Sequence, residues 1–321
     1  MCKYDRIARS FLHIVQKRPH GGYPGDRVSI LQRLLEQPGP VIADGAMGTM
    51  LMQSGLQFGD PPELWSVLYP DRVRAIHRGY IDAGAQVILT NTFGGSRFRL
   101  EMHNLEKRVD ELNRTAAIML RAEVDLSGRD VVVAGDIGPT GQILAPLGTL
   151  DFDDAVDGFA EQAAALIAGR CDVIWIETMS ALEEMEAAIQ GVRRVSPDIP
   201  IIATMTFDTR GRTMMGVTPE QAAEKLAGLG VAAIGGNCGN GPDELLPVVE
   251  KMRSVVDDLP IVAKSNVGMP ELVDYKAVYR TSAEDMSTYA KEARRLGAAI
   301  IGACCGSTPD LLAPMVTALR G

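Results

Sequence analysis

The sequence predicts an α/β protein, a (β/α)8 barrel of the TIM type with an N-terminal extension. Three observations lead there. From about residue 38, a short apolar run ending in Gly, Asn, Thr or Cys is followed by a stretch with helical spacing, and this unit recurs eight times. The runs are nearly continuous in apolar and small residues, as strands buried on both faces of a parallel sheet read. The chain has 321 residues, more than the roughly 250 that such a barrel needs. An open doubly wound sheet is the competing architecture, and the lack of a Gly-rich dinucleotide loop counts against it.

Residues 1–37 precede the repeat and read as an extension. Lys3, Arg6 and Arg9 lead into Phe11, Leu12, Ile14 and Val15, a patch too short and too polar for the core of an export signal. Gly21-Gly22 and Pro24-Gly25 signal turns, and 26–36 has the spacing of one helix. The extension either packs against the barrel or stays partly disordered. Residues 38–321 then form one barrel domain. Its strands are expected within 41–48, 86–93, 130–138, 172–179, 199–207, 232–238, 260–268 and 298–306.

Helical stretches lie between them. The first, 71–83, begins after Pro70 and ends at Gly84. The stretch 151–169 opens with acidic residues, which suit a helix N-terminus, and spaces Val156, Phe159, Ala163 and Ile167 along one face. The stretch 219–229 follows Thr218 as N-cap with Pro219 in the first helical position. Stretches 243–256, 283–296 and 309–319 repeat the scheme.

Composition narrows the function classes. A hydrophobic content of 46% and a charged content of 23% are ordinary for a globular protein. A net charge of −9 argues against nucleic acid or an anionic membrane as partner. No apolar run reaches the roughly 18 residues of a membrane span. Without an export signal, the expected location is cytoplasmic. Five cysteines, an odd number, do not suggest a disulfide framework there.

In a parallel barrel, chemistry concentrates at the C-terminal ends of the strands. The unusual residues of this chain gather there: Asp44-Gly45-Ala46-Met47-Gly48-Thr49, Asn91-Thr92-Phe93-Gly94-Gly95, Gly135-Asp136-Ile137-Gly138-Pro139, Glu177-Thr178-Met179, Gly236-Asn237-Cys238-Gly239, Lys264-Ser265-Asn266 and Cys304-Cys305-Gly306. The sixth and eighth strands are separated by one strand, so their ends lie roughly 10 Å apart. Cys238, Cys304 and Cys305 can share one ion at a Zn–S distance of about 2.3 Å if their side chains lean toward the axis. Adjacent strand residues point to opposite faces. The vicinal pair therefore requires a turn or bulge, which Gly302 and Gly306 permit.

Three thiolates select zinc over magnesium or calcium, and three protein ligands leave a fourth position open. A substrate thiol entering that position loses its proton and becomes a nucleophile. The competing reading makes Cys238 a small buried hydrophobe and Cys304-Cys305 a chance pair. Cys171 opens the fourth strand at the opposite end and, with Cys2, reads as structural. His13, His20, His77 and His103 lie away from strand ends and read as surface or packing residues.

The blocks Asp44-Gly45-Ala46-Met47-Gly48-Thr49, Asn91-Thr92-Phe93, Gly236-Asn237-Cys238-Gly239 and Gly302-Ala303-Cys304-Cys305-Gly306, in this order and with a vicinal cysteine pair near the C-terminus, resemble those of the homocysteine S-methyltransferase family. The resemblance covers roughly residues 38–320. It implies a zinc ion bound by Cys238, Cys304 and Cys305, and acidic acceptor-binding residues at Asp44 and Glu177. Both carboxylates suit the α-ammonium of an amino acid. The N–H groups around Gly45-Ala46 and Asn91-Thr92 are candidates for its carboxylate. A cap at Asp44 and a barrel ion pair at Glu177 are the structural alternatives.

The family includes enzymes that use betaine, enzymes that use S-methylmethionine, and the homocysteine module of cobalamin-dependent methionine synthase. Betaine would call for an aromatic cage, and aromatics make up only 5% of this chain. Trp65 and Phe93 are cage candidates, and Trp175 reads as core. The segment from Pro62-Glu63-Leu64-Trp65 to Pro70-Asp71 is closer to the methionine-synthase module. Lys264-Ser265 departs from the pair that precedes the Asn in relatives. The expected activity is methylation of homocysteine to methionine, with betaine, S-methylmethionine or a methyl-corrinoid protein as donor. Two alternatives stand beside it: methyl transfer between a small donor and a corrinoid protein or another thiol, and a zinc-binding barrel subunit without turnover. Oligomeric assembly is compatible with all three.

Overall fold

The computed structural model describes residues 29–273 and 276–321. Readings placed on Cys2, Lys3, Arg6, Arg9, the patch 11–15, His13, His20 and the turns at 21–25 lie outside the described residues. The strands in chain order are β1 (Val41–Ile42), β2 (Val87–Leu89), β3 (Val132–Ile137), β4 (Val173–Met179), β5 (Ile201–Met205), β6 (Ala233–Cys238) and β7 (Ile261–Ser265). A small antiparallel hairpin, β8 (Glu271–Val273) and β9 (Lys276–Val278), precedes β10 (Ala298–Ala303). The parallel sheet runs β1-β10-β7-β6-β5-β4-β3-β2. A bridge between Ala43 and Val87 joins its two edges and closes the barrel.

The pleat explains why the runs read as continuously apolar. Val87, Leu89, Val132, Ala134, Val173, Trp175, Ile202, Ala233, Val262 and Ile300 face inward and pack together inside the barrel. Their neighbours Ile88, Val133, Ile174, Ile201, Ile234, Ile261 and Ile301 face outward onto the helices. Both sets are buried, so alternation in polarity disappears. The helix Ile30–Leu35, capped by Ser29, lays Leu31 and Leu34 on the inner cluster. This last part of the expected extension closes the N-terminal end of the barrel.

Helix signals are realised at the expected places. Thr218 caps Pro219–Gly228 in a reciprocal box with Gln221, and Ser282 does the same with Asp285 for Ala283–Arg295. Pro70–Ala83 ends on Gly84 at φ 102, a left-handed position that glycine fills without strain. Asp151 caps Phe152–Ala168. The strands are shorter than expected, most of all β1, where Met47–Gln53 is a helix rather than the end of the run 41–48. Among the described residues, no helix is long and apolar enough to cross a membrane.

Candidate metal centre

The three cysteines meet at the C-terminal mouth. Regular pleating turns Asn237 inward and would send Cys238 the other way. Cys238 instead adopts φ 60, a left-handed conformation that swings its side chain back toward the axis. Thr178, at φ 64, sits beside it, with its N–H donating to Asn237 Oδ1 at 2.9 Å and its hydroxyl accepting from Asn237 Nδ2 at 2.7 Å. Just past β10, the Cys304 N–H donates to Ser265 O at 2.6 Å. The chain then turns: Ser307 N–H donates to Cys304 O at 3.1 Å, and Gly306 takes φ 84. This is the turn that the vicinal pair requires. Asn266 Oδ1 accepts the Cys305 N–H at 2.9 Å and fixes the second cysteine.

The three Sγ atoms lie within 4.8 Å of one another, and Cys238 and Cys304 approach to 3.0 Å. Tetrahedral bonds of about 2.3 Å place two sulfurs about 3.8 Å apart. The cluster therefore fits a zinc ion with small side-chain adjustments, and its three soft donors are the right chemistry. Cys304 is buried and Cys305 is exposed, which leaves one side of the cluster open to the mouth. Hydrogen bonds from Cys238 and Cys304 hold the Cys305 thiol down to about 3, while the hydrogen bond with Cys304 pushes Cys238 well up.

A buried charged group faces into the barrel alongside the sulfurs: Asp44, Asp136, Glu177 and Lys264. Lys264 Nζ lies 3.5 Å from Asp44 Oδ1 and 3.8 Å from Glu177 Oε2. Asp44 Oδ2 accepts the Leu89 N–H at 2.9 Å. Burial pushes Asp44 up to about 6 and Glu177 up to about 7, against the opposing pull of Lys264. Burial and the neighbouring Glu177 push Asp136 up as well. Burial alone would lower Lys264, but the carboxylates and thiols around it hold its ammonium above the usual range.

The remaining residues expected at the site have bracing contacts. Ala46 N–H donates to Ser307 Oγ at 2.9 Å, and Gly306 N–H donates to Thr49 Oγ1 at 3.0 Å. These bonds tie the first strand-end block to the cysteine turn. A Cβ on Gly45 would lie 2.4 Å from Ser307 Oγ, so only glycine permits that approach. Asn91 Nδ2 donates to Pro62 O and Ser66 Oγ, and Thr92 Oγ1 donates to Asp136 O at 2.7 Å. The structure thus brings Asp44 and Glu177 together around Lys264, while the side chains of Asn91 and Thr92 support the loop and β3.

Asp136 and Lys264 were noted at their strand ends in the sequence but given no role at the site. Their signal was strand parity: each continues the inward row of its strand, two positions beyond Ala134 and Val262. Cys171 is buried at the start of β4, away from the cluster, and His77 is fully buried in its helix. Trp175 is core, with its indole N–H on Thr204 Oγ1 at 3.1 Å. Trp65 packs on Tyr69 at 4.7 Å between centroids, and the Arg72 guanidinium lies over both rings. This aromatic pair already holds a cation.

Comparison with known proteins places the barrel. Methionine synthase of Mycobacterium tuberculosis (strain ATCC 25618 / H37Rv) is 30% identical over 286 residues, covering 84% of this chain and 24% of that protein. Methionine synthase of Mycobacterium leprae (strain TN) is 29% identical over 293 residues, covering 87% and 24%. The chain thus spans about a quarter of the length of these relatives. The crystal structure of the homocysteine methyltransferase MmuM from Escherichia coli in its metallated form has the same fold, with a TM-score of 0.76 at 22% identity, over 91% of this chain and 100% of that one. Its oxidised form matches with a TM-score of 0.76 at 22% identity, over 92% and 100%. The sequence profile described as homocysteine S-methyltransferase matches residues 41–319, every strand of the barrel included. The chain belongs to the homocysteine S-methyltransferase family.

Proposed function

We propose that this chain is a zinc-dependent homocysteine S-methyltransferase that makes methionine. The observation that carries the reading is the meeting of Cys238, Cys304 and Cys305 within 4.8 Å at the mouth, beside the buried carboxylates of Asp44 and Glu177. Cys238, Cys304 and Cys305 would hold the zinc, whose positive charge would lower the pKa of an incoming thiol. The chain supplies the rest. Asp44 and Glu177 hold the acceptor's α-ammonium, and, since the N–H groups of Ala46 and Thr92 are engaged by Ser307 Oγ and Thr90 O, those of Gly45 and Asn91 orient its carboxylate. The Gly306 turn and the left-handed Cys238 set the directions of the sulfurs, so little rearrangement accompanies binding. The exposed side at Cys305 is where a methyl donor reaches the acceptor sulfur. A site built on three thiolates needs a reducing compartment, which fits the cytoplasm.

The Trp65–Tyr69 pair bears on the donor. Arg72 lies over one face of each ring, so the pair is a poorer cage for betaine. We therefore favour S-methylmethionine or a methyl-corrinoid protein. The test combines metal content and turnover. Purified protein should carry about one zinc per chain, as a three-cysteine site implies, and Cys238→Ala should lose it. Homocysteine should give methionine with one of S-methylmethionine, methylcobalamin or betaine. Zinc without turnover on any donor or thiol would favour the non-catalytic subunit. Turnover on a different thiol would favour the shuttle. Zinc-free wild-type protein would remove the reading.

A further inference from the structure

Three carboxylates and one ammonium face one another inside the barrel, and the count does not balance. Asp44, Asp136, Glu177 and Lys264 are all buried. Asp44 Oδ1, Asp136 Oδ1 and Glu177 Oε2 have no hydrogen-bond partner. Lys264 Nζ stands 3.5 and 3.8 Å from two of these oxygens. Charge-assisted hydrogen bonds close to about 2.8 Å, so the lysine lies between the carboxylates without consuming either. Asp136 is held rigidly: its N–H donates to Thr90 Oγ1 at 3.0 Å and its carbonyl accepts from Thr92 Oγ1 at 2.7 Å. A buried carboxylate oxygen with nothing to bind is costly unless a ligand completes it.

We propose that Asp136 is a third carboxylate of the acceptor's ammonium subsite, and that Lys264 is its resident counter-ion. The trio is a cradle for two cations, one supplied by the chain and one by the α-ammonium of the acceptor. This inference rests on the acceptor being an amino-acid thiol and adds which residues select for its ammonium. Burial pushes all three carboxyls upward, as befits a cluster short of positive charge. Without Asp136 the ammonium would meet two carboxylates already shared with Lys264, and selectivity over thiols lacking the amine would fall.

The experiment is calorimetric binding to zinc-loaded full-length protein of two thiols: L-homocysteine and 4-sulfanylbutanoate, the same skeleton without its amine. Wild type should prefer homocysteine. Asp136→Asn keeps shape and removes charge, so it should weaken homocysteine at least about tenfold, the scale of a lost charged hydrogen bond, and leave 4-sulfanylbutanoate within about twofold. Equal weakening of both thiols, or no change in either, overturns the proposal. Lys264→Met removes the resident cation, so homocysteine should bind several-fold more tightly with 4-sulfanylbutanoate unchanged. Weaker homocysteine binding in that variant also overturns it. If wild type binds both thiols equally, the amino-acid acceptor reading fails and takes this inference with it. If wild type prefers homocysteine, that reading stands and the variants alone decide.

Discussion

Cys238 shows how a single residue can be legible in kind and hidden in geometry. Its identity and its place at a strand end pointed to metal. Its direction did not follow, because pleating alone points it away from the axis. A left-handed φ of 60 corrects that, at a cost of roughly 1–3 kcal/mol for a non-glycine residue. Crowding of the thiols carries a consequence when metal is removed. Cys238 and Cys304 sulfurs already approach to 3.0 Å, so chelation followed by mild peroxide should join them in a disulfide. Peptide mapping should find that pair rather than Cys304–Cys305, whereas in zinc-loaded protein bound homocysteine should slow the loss of activity under peroxide. Mapping that finds the vicinal pair instead would mean the sulfurs rearrange once the ion leaves.

The carboxylates give a pH prediction at the same scale. Asp44 moves from 3.8 to about 6 and Glu177 from 4.5 to about 7, both through burial. A raised acid binds more protons folded than unfolded between those values, so it favours folding at low pH and loses that contribution as pH rises from about 4 to 7. Acceptor binding runs the other way, because the ammonium needs ionised carboxylates. Homocysteine affinity should therefore climb between about pH 5 and 7.5 and then level off. Glu177→Gln should flatten the upper part of that rise. An affinity that falls over this range would place the ammonium elsewhere.

Six helices were read well because their signals are local, while Val109–Ser127 and Leu182–Val195, neither with a side-chain cap, were not singled out. Thr218 with Pro219, and Gly84 after Ala83, mark ends by backbone chemistry that needs no tertiary knowledge. Strand ends were overrun because the residues beyond each ladder are also apolar or small. At β1, the Asp44 side chain takes the Leu89 N–H, and a helix starts at Met47. The β8–β9 hairpin went unread, since its three-residue strands are too short for periodicity to register. The helix Ile30–Leu35 yields a prediction at this scale. Leu31 and Leu34 are only 2% and 3% exposed. Replacing either by Ala should cost about 2–5 kcal/mol, the range for buried Leu→Ala. Denaturant unfolding checks this, with zinc content expected to stay unchanged because the helix sits at the far end from the cysteines. A loss below about 1 kcal/mol, typical of surface positions, would mean the floor is not part of the cooperative core.

Across the whole molecule, the barrel is layered: an apolar floor, a charged middle and sulfurs at the rim. The eightfold repeat made the architecture legible, and the gathering of odd residues at strand ends made the rim legible. The middle layer was not. Lys264 meets Asp44 and Glu177 across the barrel, between residues 220 and 87 positions apart in sequence, and such pairing depends on how strands stagger around the closed sheet. A lysine inside an apolar strand carries no mark of its partners.

The sealed floor also governs traffic. With Leu31 and Leu34 seated on the inner cluster, the interior is a blind well rather than a tunnel, and everything that reacts passes through one opening. The acceptor, whose ammonium lies below the sulfurs of the rim, has to arrive before the donor and leave after the spent donor. Dead-end inhibition should accordingly show compulsory order. An analogue of the donor should be uncompetitive against homocysteine, while an unreactive homocysteine analogue should be competitive with homocysteine and noncompetitive against the donor. Random-order patterns would mean a second way in.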